Sequence, residues 1–112
     1  MNRQLIKNYI DAQPIKVVKA LDLATNRIEY DKIKQISRVV TDCSDDEEIT
    51  RAFILTKLVN ELGYLPDRIE IEHEYKSGRP KLTKPRIDIV VRDAEGDAFY
   101  LSKLRIQTSM QK

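Results

Sequence analysis

Basic side chains that could bind phosphate are concentrated in one stretch of the chain. Between positions 76 and 92 Asp88 is the single acid, and the basic residues there are Lys76, Arg79, Lys81, Lys84, Arg86 and Arg92. Such a cluster suits a surface that meets a polyanion such as DNA. A solvated hairpin loop explains the same charges about equally well from the residues alone. The net charge of +2 hides this uneven distribution.

Carboxylates are concentrated earlier, at the start of the most strongly predicted element, a helix over about 45–62. Ser44 or Asp45 can cap its first turn, acids follow where the helix dipole favours negative charge, and Gly63 supplies a stop. Glu48 falls on the apolar stripe of this helix. One carboxylate is therefore expected at the inward edge of the helix.

Three strands are predicted after the helix, over about 68–76, 86–92 and 98–107. In the first of them apolar residues alternate with charged ones, which places Glu70, Glu72 and Glu74 on the face opposite the apolar one. Turn residues separate the strands. The predicted fold class is α+β: a lead-in, one long helix and a three-stranded antiparallel meander.

The chain reads as one domain over 1–112, with a lead-in at 1–25, a core at 26–107 and a tail at 108–112. In the lead-in, Pro14 favours either a short helix that breaks near it or an edge strand over about 15–18. After a turn at Asn26, the apolar positions fit a helix or a short strand equally well.

Composition excludes several classes of protein. No apolar run is long enough to cross a bilayer, and the N-terminal residues lack the pattern of a secretory signal, so a cytoplasmic location is expected. The lone Cys43 cannot form an internal disulfide, and without a histidine cluster it cannot build a zinc site. His73, on the apolar side of its strand, is expected to be a packed or rim residue rather than a metal ligand or a base.

Three stretches together resemble the N-terminal nuclease domain of the type I restriction enzyme R subunit, a member of the PD-(D/E)XK superfamily. They are "IEYDKIKQ" at 28–35, "DEEITRAFILTKLVNELGY" at 46–64 and "PRIDIVVRDAEGDAFYL" at 85–101. Their order and spacing carry the resemblance, which covers about 26–101. It implies a restriction-endonuclease-like fold, Mg²⁺ as cofactor, DNA as substrate and other restriction-modification subunits as partners.

The resemblance also implies roles for particular residues. Asp88 matches the metal-binding aspartate, and Glu48 matches the helix acid that approaches the metal. The alternative for Glu48 is an ordinary first-turn acid, with Glu47 pairing with Arg51.

The family's Glu-X-Lys motif is altered here, because the third strand places Lys103 at the glutamate and Arg105 at the lysine. At about 5 Å and an effective dielectric constant of about 20, a lysine beside Mg²⁺ would feel roughly 7 kcal/mol of repulsion. Lys103 therefore cannot replace the acid, and the two cations could instead pair with Asp88 or hold a phosphate. The sequence predicts a domain that contacts DNA without cleaving it.

A change of reading frame offers one explanation for the altered motif. Ser-Lys-Leu-Arg at 102–105 can be encoded by TCG AAG TTA AGA, and a shift of two bases then reads GAA GTT AAG, which is Glu-Val-Lys. A frameshifted, truncated nuclease domain is thus one interpretation.

Two alternatives compete with the non-cleaving nuclease domain. One is an active Mg²⁺-dependent endonuclease that uses Glu72 or Glu74 as a substitute acid. The other is a non-enzymatic α/β domain that binds a protein partner, with the acids at 42–48 as a surface feature.

Overall fold

The computed structural model describes residues 2–72 and 89–93, and the backbone of residues 98–101. These residues form a mixed α+β domain with two helices and two sheets. The α+β class predicted from the sequence is confirmed. Among the described residues, neither helix has the length and apolar character needed to cross a membrane.

The lead-in forms both a helix and a strand. Helix α1 spans Arg3–Ala12, and the side chain of Asn2 caps its start by accepting a hydrogen bond from the Leu5 N–H at 3.1 Å. The helix ends before Pro14, as expected of a residue that cannot continue one. Strand β1 then spans Val18–Asp22.

A hairpin completes the smaller sheet. Strand β2 spans Arg27–Tyr30 and pairs with β1 in antiparallel fashion. The turn requires a left-handed backbone at Asn26, whose φ is 57°, and asparagine adopts that region more readily than most residues. Tyr30, the last residue of β2, points into the core with 5% of its surface exposed.

Helix α2 spans Asp46–Asn60, close to the predicted 45–62. Asp45 caps its start through a hydrogen bond from the Glu47 N–H at 2.9 Å. The helix ends where Gly63 takes a φ of +81°, which lets the Tyr64 N–H reach the Leu58 carbonyl at 3.1 Å. The start and stop signals in the sequence thus act where they were predicted.

The larger sheet has the strand order β3-β4-β5-β6. Its strands are β3 at Lys34–Gln35, β4 at Ile69–Ile71, β5 at Ile89–Arg92 and β6 at Ala98–Leu101. Strand β3 lies parallel to β4, whereas the other neighbours are antiparallel. The predicted strands over 68–76, 86–92 and 98–107 extend into positions outside the described residues. The parallel strand β3 is an addition that the sequence did not predict.

The core lies between α2 and the sheets. Ile49, Leu55, Ile69 and Ile71 are fully buried, as is Cys43. Burial of a large aliphatic side chain contributes roughly 1.5–3 kcal/mol to folding. Helix α2 also buries a charged side chain, since Arg51 has only 2% of its surface exposed.

Strand β4 has both faces covered, which corrects one expectation. Glu70 was expected on a solvent face opposite the apolar residues, but it is 93% buried, with 7% of its surface exposed. Its carboxylate accepts hydrogen bonds from Arg92 at 2.8 Å and 3.2 Å. An arginine on the neighbouring strand β5 compensates the buried charge. The period-two pattern of the sequence therefore does not reveal whether the charged face of the strand is buried.

The starts of the two helices are joined by Arg3. Its guanidinium donates to Asp46 Oδ1 at 2.6 Å and to the backbone carbonyls of Cys43 and Ser44 at 3.1 Å and 2.8 Å. Contacts of this kind fix the loop that leads into α2, and so fix where Glu48 enters the domain interior.

Candidate functional site

Glu48 lies at the centre of a largely buried ionic cluster. Its Oε1 accepts from Arg51 Nη2 at 2.8 Å, and its Oε2 accepts from Arg51 Nε at 3.0 Å. The pair sits one helical turn apart on α2, in a two-point contact between guanidinium and carboxylate. Arg51 therefore pairs with Glu48 through both carboxylate oxygens.

Tyr30 reaches the same carboxylate from the smaller sheet. Its hydroxyl donates to Glu48 Oε2 at 2.5 Å. Burial, followed by the negative charge of Glu48, raises the pKa of Tyr30 well above its usual value, while Arg51 opposes the shift. The hydroxyl consequently remains protonated, and it acts as a hydrogen-bond donor in the neutral pH range.

Glu72 completes the cluster from the end of β4. Its Oε2 accepts from Arg51 Nη2 at 2.7 Å, and its Oε1 accepts from Arg38 Nε at 2.9 Å. The backbone carbonyl of Glu72 accepts hydrogen bonds from the backbone N–H and the hydroxyl of Ser37. Both the carboxylate and the backbone carbonyl of Glu72 thus accept hydrogen bonds from other parts of the chain.

An unusual backbone conformation places Glu72 there. Its φ is 59°, a left-handed value that costs a residue with a β-carbon about 1–2 kcal/mol. This conformation ends the side-chain alternation of β4. The Glu72 side chain therefore contacts Arg51 on α2 instead of continuing the strand pattern. The expectation that Glu72 lies on a simple solvent face is therefore wrong, and the carboxylate is 17% exposed.

We call Tyr30, Arg38, Glu48, Arg51 and Glu72 the Arg51 cluster. Two carboxylates face two guanidinium groups, so the formal charges balance. Burial alone would lower the pKa of Arg51, but the charge of Glu48 and the hydrogen bonds to both glutamates raise it overall. For Glu72 burial works towards a higher pKa, yet the hydrogen bond and charge of Arg51, with help from Arg38, lower it.

The structure places few of the other predicted site residues. Glu74, Asp88, Lys103 and Arg105 lie outside the described residues, as do the predicted DNA-binding residues Lys76, Arg79, Lys81, Lys84 and Arg86. Arg92, also predicted to bind DNA, is described. Its guanidinium donates to Glu70, and its side chain is 38% exposed.

Glu48 and Glu72 do not fit Mg²⁺ in this arrangement. Both oxygens of Glu48 accept hydrogen bonds from Arg51, and both oxygens of Glu72 accept from arginines. A guanidinium at this position repels a second cation. Within residues 2–72, 89–93 and 98–101, no group of three or more histidine, cysteine, aspartate or glutamate side chains is placed to hold a metal.

Sequence reasoning identified Glu48 but missed the partners that define its surroundings. The spacing of Glu48 and Arg51 was a local signal, because residues three apart are neighbours on a helix. The contacts of Arg51 with Glu72, and of Tyr30 with Glu48, join residues from different elements. No pattern in the sequence pairs these residues.

Comparisons with protein-family models, curated proteins and solved structures found no match for this chain.

Proposed function

We propose that this chain is a degenerate type I restriction-type endonuclease domain that contacts DNA and does not cleave it. The observation that carries the proposal is the meeting of Tyr30, Glu48 and Arg51 in one cluster. These residues come from two separate stretches on which the family resemblance rests, 28–35 and 46–64. A shared buried site gives those stretches a common physical role.

The absence of cleavage is inferred from what the acids contact. Arg51 contacts Glu48, the helix acid of the resemblance, and Glu72, one of the two candidate substitute acids, contacts both Arg51 and Arg38. Efficient metal-assisted hydrolysis needs carboxylates that are open to a cation. The altered motif, with Lys103 and Arg105 in place of glutamate and lysine, also argues against cleavage.

DNA contact is inferred from the basic segment at 76–92. We expect Arg92 to contribute less than its neighbours in sequence, because its guanidinium already compensates the buried Glu70 carboxylate. Lysines that contact only the phosphates bind DNA without reading its sequence, so we expect a strong salt dependence and little preference among DNA sequences.

The DNA part of the proposal is tested by measuring the affinity for a labelled duplex by fluorescence anisotropy over a range of salt concentrations. The variant Lys81→Gln/Lys84→Gln is expected to bind more weakly and to lower the slope of log K against log salt by roughly one per lysine. Lys19→Gln, at a residue on β1 with its side chain 63% exposed, is the matched control and should change neither quantity. Absence of any salt-dependent binding would instead favour the protein-interaction domain.

The absence of cleavage is tested by plasmid nicking with Mg²⁺ or Mn²⁺ at an excess of protein. No nicking is expected from the native chain. Metal-dependent nicking that Asp88→Ala abolishes would establish an active endonuclease and overturn the proposal. Nicking gained by Lys103→Glu/Arg105→Lys would support the assignment of this chain as a degenerate member of the family.

A further inference from the structure

The guanidinium of Arg38 is held through one nitrogen. Its Nε donates to Glu72 Oε1 at 2.9 Å, and within the described part of the chain neither terminal nitrogen donates a hydrogen bond. The side chain is 64% exposed. A guanidinium carries five N–H donors, so the four on the terminal nitrogens remain available while Glu72 fixes the orientation of the group.

The other two arginines that contact acids of β4 and its end are arranged differently. Arg51 is nearly buried and donates from Nε and Nη2 to the glutamates of its cluster. Arg92 donates from Nε and Nη2 to Glu70, and its side chain is less exposed than that of Arg38. Of the three guanidinium groups, that of Arg38 is therefore the best placed to contact a ligand that approaches from solvent.

The loop that carries Arg38 is fixed on both sides. Before the arginine, the Ser37 N–H donates to the Glu72 carbonyl at 2.8 Å. After it, the Val40 N–H donates to Gln35 Oε1 at 2.9 Å. A side chain on a loop that is already held in place loses less conformational freedom when it binds a partner.

Positive charge is outermost in this part of the molecule. The Glu48 and Glu72 side chains are only 11% and 17% exposed, and both contact the nearly buried Arg51. Lys34 on β3 is exposed and makes no ion pair with another described residue. An anion that approaches from solvent thus meets Arg38 and Lys34 before it meets the carboxylates.

We propose that Arg38 is a further DNA contact, and that its two terminal nitrogens donate to one backbone phosphate in the two-point arrangement typical of guanidinium groups. The inference rests on the proposed function, because it adds a residue to the proposed DNA-contacting surface. Glu72, which holds Arg38, precedes the first basic residue of that surface, Lys76, by four positions, a chain length of at most about 14 Å. The contact orients the duplex and carries no sequence information.

The test measures the affinity for a labelled DNA duplex by fluorescence anisotropy over a range of salt concentrations. Arg38→Gln is expected to weaken binding about tenfold and to lower the slope of log K against log salt by about 0.9, the value for one phosphate. Arg38→Lys keeps the charge without the planar fork, so it should retain the slope and bind more weakly than the native chain. Arg27→Gln, at an exposed arginine on β2 of the smaller sheet, is the matched control and should change neither quantity.

A purely structural role for Arg38 makes a different prediction. If the arginine only paired with Glu72, Arg38→Gln would lower the unfolding temperature and leave the salt slope unchanged. Binding is therefore measured well below the unfolding temperature of each variant. An unchanged slope in Arg38→Gln, with or without weaker binding, would overturn the proposal.

The outcomes also separate this inference from the proposed function. If the native chain shows no salt-dependent binding, both are wrong. If it binds, and Lys81→Gln/Lys84→Gln weakens binding while Arg38→Gln does not, only the Arg38 contact is wrong. The native chain gives a further measurement, since the Nε–H NMR signal of Arg38 should shift when duplex is added and that of Arg27 should not. Absence of a shift at Arg38 under saturating duplex would count against the contact.

Discussion

Arg51 on α2 and Glu72 at the end of β4 are 21 residues apart in sequence, yet Nη2 of the arginine lies 2.7 Å from Oε2 of the glutamate. The same guanidinium holds Glu48 one turn earlier on its own helix. Arg51 thus joins the helix to the larger sheet by charge. Removing one partner of such a pair costs about 3–5 kcal/mol, because the other charge stays buried.

Tyr30→Phe should destabilise the chain by about 1–2 kcal/mol. The substitution removes the hydroxyl that donates to Glu48 Oε2 while keeping the buried ring. Urea unfolding at neutral pH measures the effect. Tyr64→Phe, at a tyrosine that is only partly buried, is the control and is expected to change the free energy of unfolding by less than about 0.5 kcal/mol. Equal effects of the two substitutions would mean that the Tyr30 hydroxyl contributes nothing specific.

Glu72→Gln should weaken the chain at neutral pH but have progressively less effect in acid. The folded-state pKa of Glu72 is lowered from an ordinary value of 4.5, mainly by Arg51 acting against burial. A lowered carboxyl pKa stabilises the fold above the ordinary value, and this contribution is lost as the pH falls through the folded pKa. The difference in unfolding free energy between the native chain and Glu72→Gln should therefore shrink below pH 4.5. A difference that is constant through this range would contradict the assignment.

Tyr9 is expected to make the chain sensitive to alkali. Burial, and then the hydrogen bond and charge of Glu61, raise the pKa of Tyr9 from 10.0 to about 12. Because the unfolded chain loses this proton first, the contribution is fully present below pH 10.0 and disappears as the pH rises towards about 12. Tyr9→Phe should flatten this part of the stability profile. Absorbance of the phenolate gives the titration directly, and Glu61→Gln should shift it to lower pH.

Gly63→Ala should destabilise the chain by about 1–2 kcal/mol through backbone strain. Gly63 has a φ of +81°, and a β-carbon built there meets nothing within 4 Å. The cost is therefore conformational and not steric, and Gly63→Asn should be tolerated better, since asparagine adopts the left-handed region more easily. Thermal unfolding of both variants tests this. An equal loss in both would indicate that something other than the backbone angle is responsible.

The sequence predicted the features that local chemistry determines. The cap at Asp45, the acids of the first turn and the stop at Gly63 gave the bounds of α2 to within two residues at each end. Burial on both faces of β4 was missed, because whether Glu70 meets water or Arg92 depends on a strand that comes later in the chain. The position of Glu72 was missed for a related reason. Its left-handed backbone is stabilised by contacts with Ser37, Arg38 and Arg51 rather than by its sequence neighbours.

The short strand β4 carries one buried or partly buried acid within it and another just beyond its end, each matched to a fixed arginine. If β4 slipped by one residue against its neighbours, Glu70 would lose Arg92 and Glu72 would lose Arg51. An alternating strand also exchanges its two faces in such a slip, so the isoleucines would leave the core at the same time. Buried ion pairs add little net stability, but misaligned ones are heavily penalised. The two ion pairs therefore favour the correct strand register. Strand β4 has only three residues, Ile69–Ile71, so its backbone hydrogen bonds alone specify the register weakly.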